Sequence, residues 1–186
     1  FVGAGGCGVR VSSMYAVIFG ICFLGAGSAI SEPVCQRKLG EMVCSKGEVL
    51  VMNTSGILKM NGTYVEKKLS VKGQASISNS RIKDLKVFGE AVLVNTEISG
   101  KSDIWGFLNA YGSIFRQTVI ICSNYMRAVG STFVDIIVDS GVREAELLLS
   151  KNSTVKGDIV FKGRPGVVVL ASGSVVTGKI INGKKV

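Results

Sequence analysis

Two aspartates are the first residues that could do chemistry. Asp84 and Asp135 each stand fifth after an Asn or Gly, in "NSRIKD" and "GSTFVD". A pair of carboxylates on one face is the equipment of glycoside hydrolysis. The same position holds Gly100 and Gln117 in the two intervening phrases, so the aspartates are not neighbours. They are expected to cap corners or face solvent. The chain has no His, which excludes Ser-His-Asp and Cys-His catalysis. It has no Cys-x-x-Cys pair, so neither a zinc nor a redox site is expected, and no cofactor. Cys35 and Cys44 flank "QRKLGEMV" and are expected to form a disulfide. Cys122, in "VIICSN", reads as a small buried hydrophobe. Trp105, Phe107, Tyr111 and Tyr125 could form a strip that holds a sugar or a protein. Trp105 lies outside the core phase and is the expected partner contact, whereas Phe107 fits the core equally well.

The elements that position these residues follow from composition. The chain has 186 residues, 47% of them hydrophobic, with 24 Gly against 2 Pro. Val and Ile recur throughout, which suits short strands joined by Gly-rich corners. The formal charge is +9. The basic residues are scattered singly apart from Lys67-Lys68 and Lys184-Lys185, and do not interleave with aromatics. That pattern speaks against nucleic acid. It leaves a protein partner, an anionic polymer or a membrane surface.

The chain also repeats. "LLLSKNSTVKGDIVF" (Leu147 to Phe161) aligns with "VVLASGSVVTGKIIN" (Val168 to Asn182), with identities at Leu149/Leu170, Ser153/Ser174, Val155/Val176, Gly157/Gly178 and Ile159/Ile180. Fainter copies precede them. Ser80, Thr96, Ser113, Ser131, Ser153 and Ser174 follow Asn79, Asn95, Gly112, Gly130, Asn152 and Gly173, at intervals of 16, 17, 18, 22 and 21. Asn and Gly most readily adopt φ > 0, so these six are expected to be left-handed corners, with the hydroxyl satisfying backbone groups at the bend. The alternating apolar residues that follow have the period of a half-buried strand. A repeat of this length holds three short strands and their corners.

The expected fold is therefore all-β, a right-handed parallel β-helix. Its core would stack Ile82, Ile98, Phe115, Phe133, Val155 and Val176, continued by Val119, Ile137, Ile159 and Ile180. The stretches Ser140 to Glu146 and Lys162 to Gly166 would leave as loops. A left-handed hexapeptide helix requires a strict six-residue period, and a sandwich would not repeat its corner chemistry. Asn61-Gly62 between alternating arms predicts a β-hairpin, within a small cap over residues 30–66. The β-helix would then fill 67–186.

"MYAVIFGICFLGAGSAI" (Met14 to Ile30) reads as a leader, with Arg10 ahead of it and small residues at Gly27 and Ala29. Residues 1–29 are assigned to it, the first thirteen lying upstream of a start at Met14. The alternative is an N-terminal membrane anchor over Val11 to Ile30. The leader leads to an exported protein of the periplasm or outer envelope of a Gram-negative bacterium, and the anchor to a protein held N-terminally in the inner membrane.

"STVKGDIVFKG" and "SVVTGKIINGK" resemble the coils of bactofilins, bacterial polymer-forming β-helix proteins whose V-x-G-x-I units follow a small polar corner. The resemblance is clear over Leu147 to Asn182 and faint over Ser80 to Asp139. It implies a non-enzymatic scaffold that self-associates or docks into a larger assembly. Lys184 and Lys185, on the final strand phrase, would either guard an edge or contact a partner. The alternative function is binding or cleavage of an acidic polysaccharide.

Overall fold

The computed structural model describes residues 34–141 and 143–186, so the leader expected over 1–29 lies outside them. The described residues are strands and connections, wound as a parallel β-solenoid. Strand β1 (Val34–Lys38) turns back antiparallel onto the start of β2 (Glu41–Ser78). β2 continues without a break around successive coils, and β3 (Arg81–Val94) stacks parallel on it. Each later coil divides into three strands that pair with the coils on either side. The first face has two-residue strands, Glu97–Ile98, Ile114–Phe115, Thr132–Phe133, Thr154–Val155 and Val175–Val176. The second runs through Ser102–Trp105, Val119–Ile121, Ile136–Asp139, Ile159–Lys162 and Ile180–Ile181. The third runs through Leu108–Tyr111, Tyr125–Val129, Ala145–Ser150, Gly166–Leu170 and Gly183–Lys185.

Why the chain turns where it does is written in three columns of corner residues. Between the third face and the first stand Asn79, Asn95, Gly112, Gly130, Asn152 and Gly173, with φ of 47°, 48°, 57°, 60°, 61° and 75°. All the serines after them but Ser174 are buried, as is Thr96, and each serine hydroxyl in this column serves two backbone groups. It accepts the N–H one coil back: Thr96 N to Ser113 Oγ at 3.2 Å, Ser113 N to Ser131 Oγ at 3.1 Å, Ser131 N to Ser153 Oγ at 3.2 Å. It also donates to a carbonyl just upstream, as Ser113 does to Tyr111 at 3.1 Å. A buried N–H without a partner costs on the order of 1–3 kcal/mol, so each hydroxyl fixes its corner.

Between the second face and the third stands a column of glycines, Gly40, Gly56, Gly73, Gly89 and Gly106, with φ rising from 75° to 143°. A Cβ on Gly56, Gly73, Gly89 or Gly106 would fall on the carbonyl oxygen of the glycine one coil back. No other residue fits there.

The interior is a stack of like on like. Ile82, Ile98, Phe115, Phe133 and Val155 are buried in register, and the rings of Phe115 and Phe133 stack at 4.7 Å. Val176 and Ile180 extend the same columns and are partly buried.

Two sequence expectations are corrected. The hairpin turns at Leu39-Gly40, where Lys38 pairs with Glu41, and not at Asn61-Gly62. At Asn61-Gly62 the chain goes on around the coil. Tyr64 pairs parallel with Arg81, and Thr63 N donates to Ser80 Oγ at 3.1 Å. Only Gly62 there has φ > 0, whereas a type I′ hairpin needs two such residues. Leu58, Met60, Thr63 and Val65 are all buried, so both arms face the core. Coil winding is already under way at Gly40, whose carbonyl accepts the N–H of Ile57. The second correction is Ile137, which faces outward, while Ile136 is buried between Val119 and Ile159. This coil has two residues between Phe133 and Ile136, where its neighbours have three. In a strand a one-residue offset exchanges the faces.

Candidate functional site

The corner between the first and second faces explains the aspartates. Coils with a short corner carry Asp84 or Asp135, and the coil that follows each has one residue more there. The additional N–H has no strand partner, and a carboxylate supplies it. Asp84 Oδ1 accepts Lys101 N at 2.9 Å, and Asp135 Oδ1 accepts Asp158 N at 2.9 Å. Asp158 Oδ1 does the same for Lys179 N at 2.7 Å. Gly100 and Gly157 lack a side chain because the carboxylate oxygen occupies the space of a Cβ. The carboxylates therefore serve the backbone along the stack and do not converge on a cleft.

The aromatic residues divide. Trp105, 53% exposed, ends the second-face strand Ser102–Trp105, and Phe107, 50% exposed, begins the third face. Gly106 separates them, so both project from one edge of the solenoid. Phe107, offered equally to the core by its sequence, lies outside it. Phe88 stacks below Trp105 with ring centroids 5.9 Å apart, and Lys86 Nζ lies 5.0 Å from the Phe88 ring centroid. Tyr125 occupies the position of Phe107 one coil on. Tyr111 stands at the other end of the third-face strand, next to the Gly112 corner, and is not part of the group.

Phe88 was not singled out from the sequence. The signal existed: "VFG" (Val87 to Gly89) and "IWG" (Ile104 to Gly106) are one phrase, an inward aliphatic, an outward aromatic and the corner glycine. Beside the aromatics, Glu90 accepts hydrogen bonds from Gln74 Nε2 at 3.1 Å and Asn109 Nδ2 at 3.3 Å. The result is an apolar ridge edged by planar polar groups. It can stack on a flat apolar surface but holds no nucleophile.

The remaining sequence candidates are scattered. Cys35 and Cys44 are cross-strand partners of the N-terminal hairpin, Cα atoms 4.1 Å apart and joined by a disulfide. Cys44 points into the core. Cys122 is free and half-buried, on the outer side of the second face. Burial and the carboxylates of Asp139 and Asp103 push its thiol up from the ordinary value. Lys184 and Lys185 alternate in register: Lys184 pairs with outward Val167 and Lys185 with buried Val168, and both lysines are exposed. Among the described residues no three His, Cys, Asp or Glu cluster as metal ligands would. Compared with protein-family models, curated proteins and solved structures, the chain finds no match.

Proposed function

We propose that this chain is a non-enzymatic scaffold protein, bactofilin-like in its coils, exported to the bacterial envelope, and acting by association through its outer surface. One observation carries the reading. The recurring side chains with chemical potential, Asp84, Asp135, Asp158 and the buried Ser/Thr column, are engaged in holding corners, while Phe88, Trp105 and Phe107 are left exposed side by side. Large exposed apolar groups that cluster mark contact surfaces. The two C-terminal phrases that carry the bactofilin resemblance lie on adjacent coils, with Val155 over Val176 and Ile159 over Ile180.

The test is sedimentation of the wild type and of a Trp105→Ala/Phe107→Ala variant over a range of concentrations, with recovery of partners from the native envelope. Loss of self-association or of a recovered partner, at unchanged thermal stability, supports the reading. Monomeric behaviour of both proteins with nothing recovered overturns it. Lys184→Ala with Lys185→Ala separates the two roles of that pair: guards predict more assembly, a docking contact less.

A further inference from the structure

The cations that look scattered in the sequence are gathered by the coil geometry. The corner between the first and second faces carries Lys67 and Lys68 in one coil. It then carries Lys83, Lys101 and Arg116 in the next three. It carries Lys156 and Lys179 in the last two, after a coil that has Val134 and Asp135 instead. All seven cations are exposed. Four carboxylates stand at this corner, Glu66, Asp84, Asp135 and Asp158, against the seven, and Arg116 is paired besides with Glu97 of the first face. Three of the four have an oxygen turned along the stack onto a backbone N–H. Coils lie ~4.8 Å apart, so six steps from the first of these coils to the last make a line about 29 Å long. A groove beside it is lined by Lys101, Arg116, Gln117 and Thr118, with one carboxylate, Asp103.

We infer that this edge binds a linear acidic polysaccharide laid along the solenoid axis. A single file of cations at a coil's spacing matches a chain with about one carboxylate on each successive sugar. A convex edge touches a flat membrane along one line only, which leaves most of a headgroup layer uncontacted. Single-stranded nucleic acid is held by aromatic platforms as well as charge, and the aromatic group Phe88, Trp105 and Phe107 lies on a different edge, around Gly106. The site is independent of the association surface proposed above, and either can fail without the other.

The experiment measures binding to polygalacturonate by isothermal titration at low and high salt. Three proteins are compared: wild type, Lys67→Gln/Lys83→Gln/Lys101→Gln, and Lys72→Gln/Arg127→Gln/Arg164→Gln. The two variants lose the same net charge at different places. The edge variant is expected to bind about 10- to 100-fold more weakly. The second variant should stay within about twofold of wild type, with wild-type binding falling steeply as salt rises. Equal losses in both variants would reduce the effect to net charge and overturn the inference. So would absence of binding, or tighter binding to anionic lipid vesicles or to single-stranded DNA than to polygalacturonate.

Discussion

Replacing Gly89 by Ala tests the glycine column directly, because strain and collision can be separated there. Gly89 has φ +136°, and a Cβ on it would fall on the carbonyl of Gly73, 2.9 Å from the carbonyl carbon and closer still to the oxygen. The backbone conformation alone costs an L residue about 1–3 kcal/mol. The collision is with backbone, so it is relieved only if two coils separate. That loosens the pairing between Ser70–Ser78 and Lys86–Val94, for a total of roughly 3–5 kcal/mol. In a protein of this size each kcal/mol lowers Tm by about 2–4 °C, so a fall of about 6–20 °C is expected. Gly130→Ala is the comparison. Gly130 has φ +60° and its nearest contact would be Lys151 O at 3.4 Å. Only conformational strain of about 1–2 kcal/mol remains, a fall of a few degrees. Thermal unfolding followed by circular dichroism reads both. Equal falls, or a Gly89→Ala protein as stable as wild type, would refute the claim that the column is closed to side chains.

Other outcomes follow from single residues. Ser113→Ala leaves the buried N–H of Thr96 without its acceptor and should cost about 1–3 kcal/mol by chemical denaturation. Ser102→Val should instead stabilise, by about 1 kcal/mol in the same assay. Its hydroxyl is buried without a partner between Leu85 and Val119, and an aliphatic side chain like those stacked on either side of it removes that cost. Reduction of the Cys35–Cys44 disulfide, which closes a separation of nine residues, should lower stability by about 2.5 kcal/mol, read as the Tm with and without reductant. Cys122 should alkylate more slowly than a free thiol at pH 8. The thiolate is the charged form, and burial with Asp139 and Asp103 disfavours it, so its ionisation is moved to higher pH. Asp139→Asn should speed the reaction, measured by mass-spectrometric labelling.

The solenoid was legible because its corners are written in residue types. Asn or Gly before Ser or Thr marks one corner in every coil from 79 to 173, and the φ values at those positions are all positive. The buried column beginning Ile82, Ile98 and Phe115 followed from counting two residues past the hydroxyl. The count failed at Ile137 because the Asp135 corner is one residue short, and nothing in that coil's own sequence announces the deletion. Asn61-Gly62 carried a strong local hairpin signal, but burial of residues on both sides of it favours the coil. The aromatic edge was half legible. Trp105 stood out of phase, while Phe88 needed the glycine column to be seen first. The line of cations was not legible, because Lys83, Arg116 and Lys156 stand four residues after the corner residue whereas Lys101 and Lys179 stand six after it.

The unequal coil lengths have a consequence for what the chain can carry. The longest interval between corner residues, from Gly130 to Asn152, takes up much of its extra length between Asp139 and Ala145. The three pairings on either side keep their registers across it. Length added at that corner is therefore invisible to the rest of the stack. A foreign peptide spliced next to Gly141, which has no atom within 4 Å of where its Cβ would be, should be displayed without disturbing a single neighbouring coil. One residue inserted inside Ile136–Asp139 would turn the whole strand inside out.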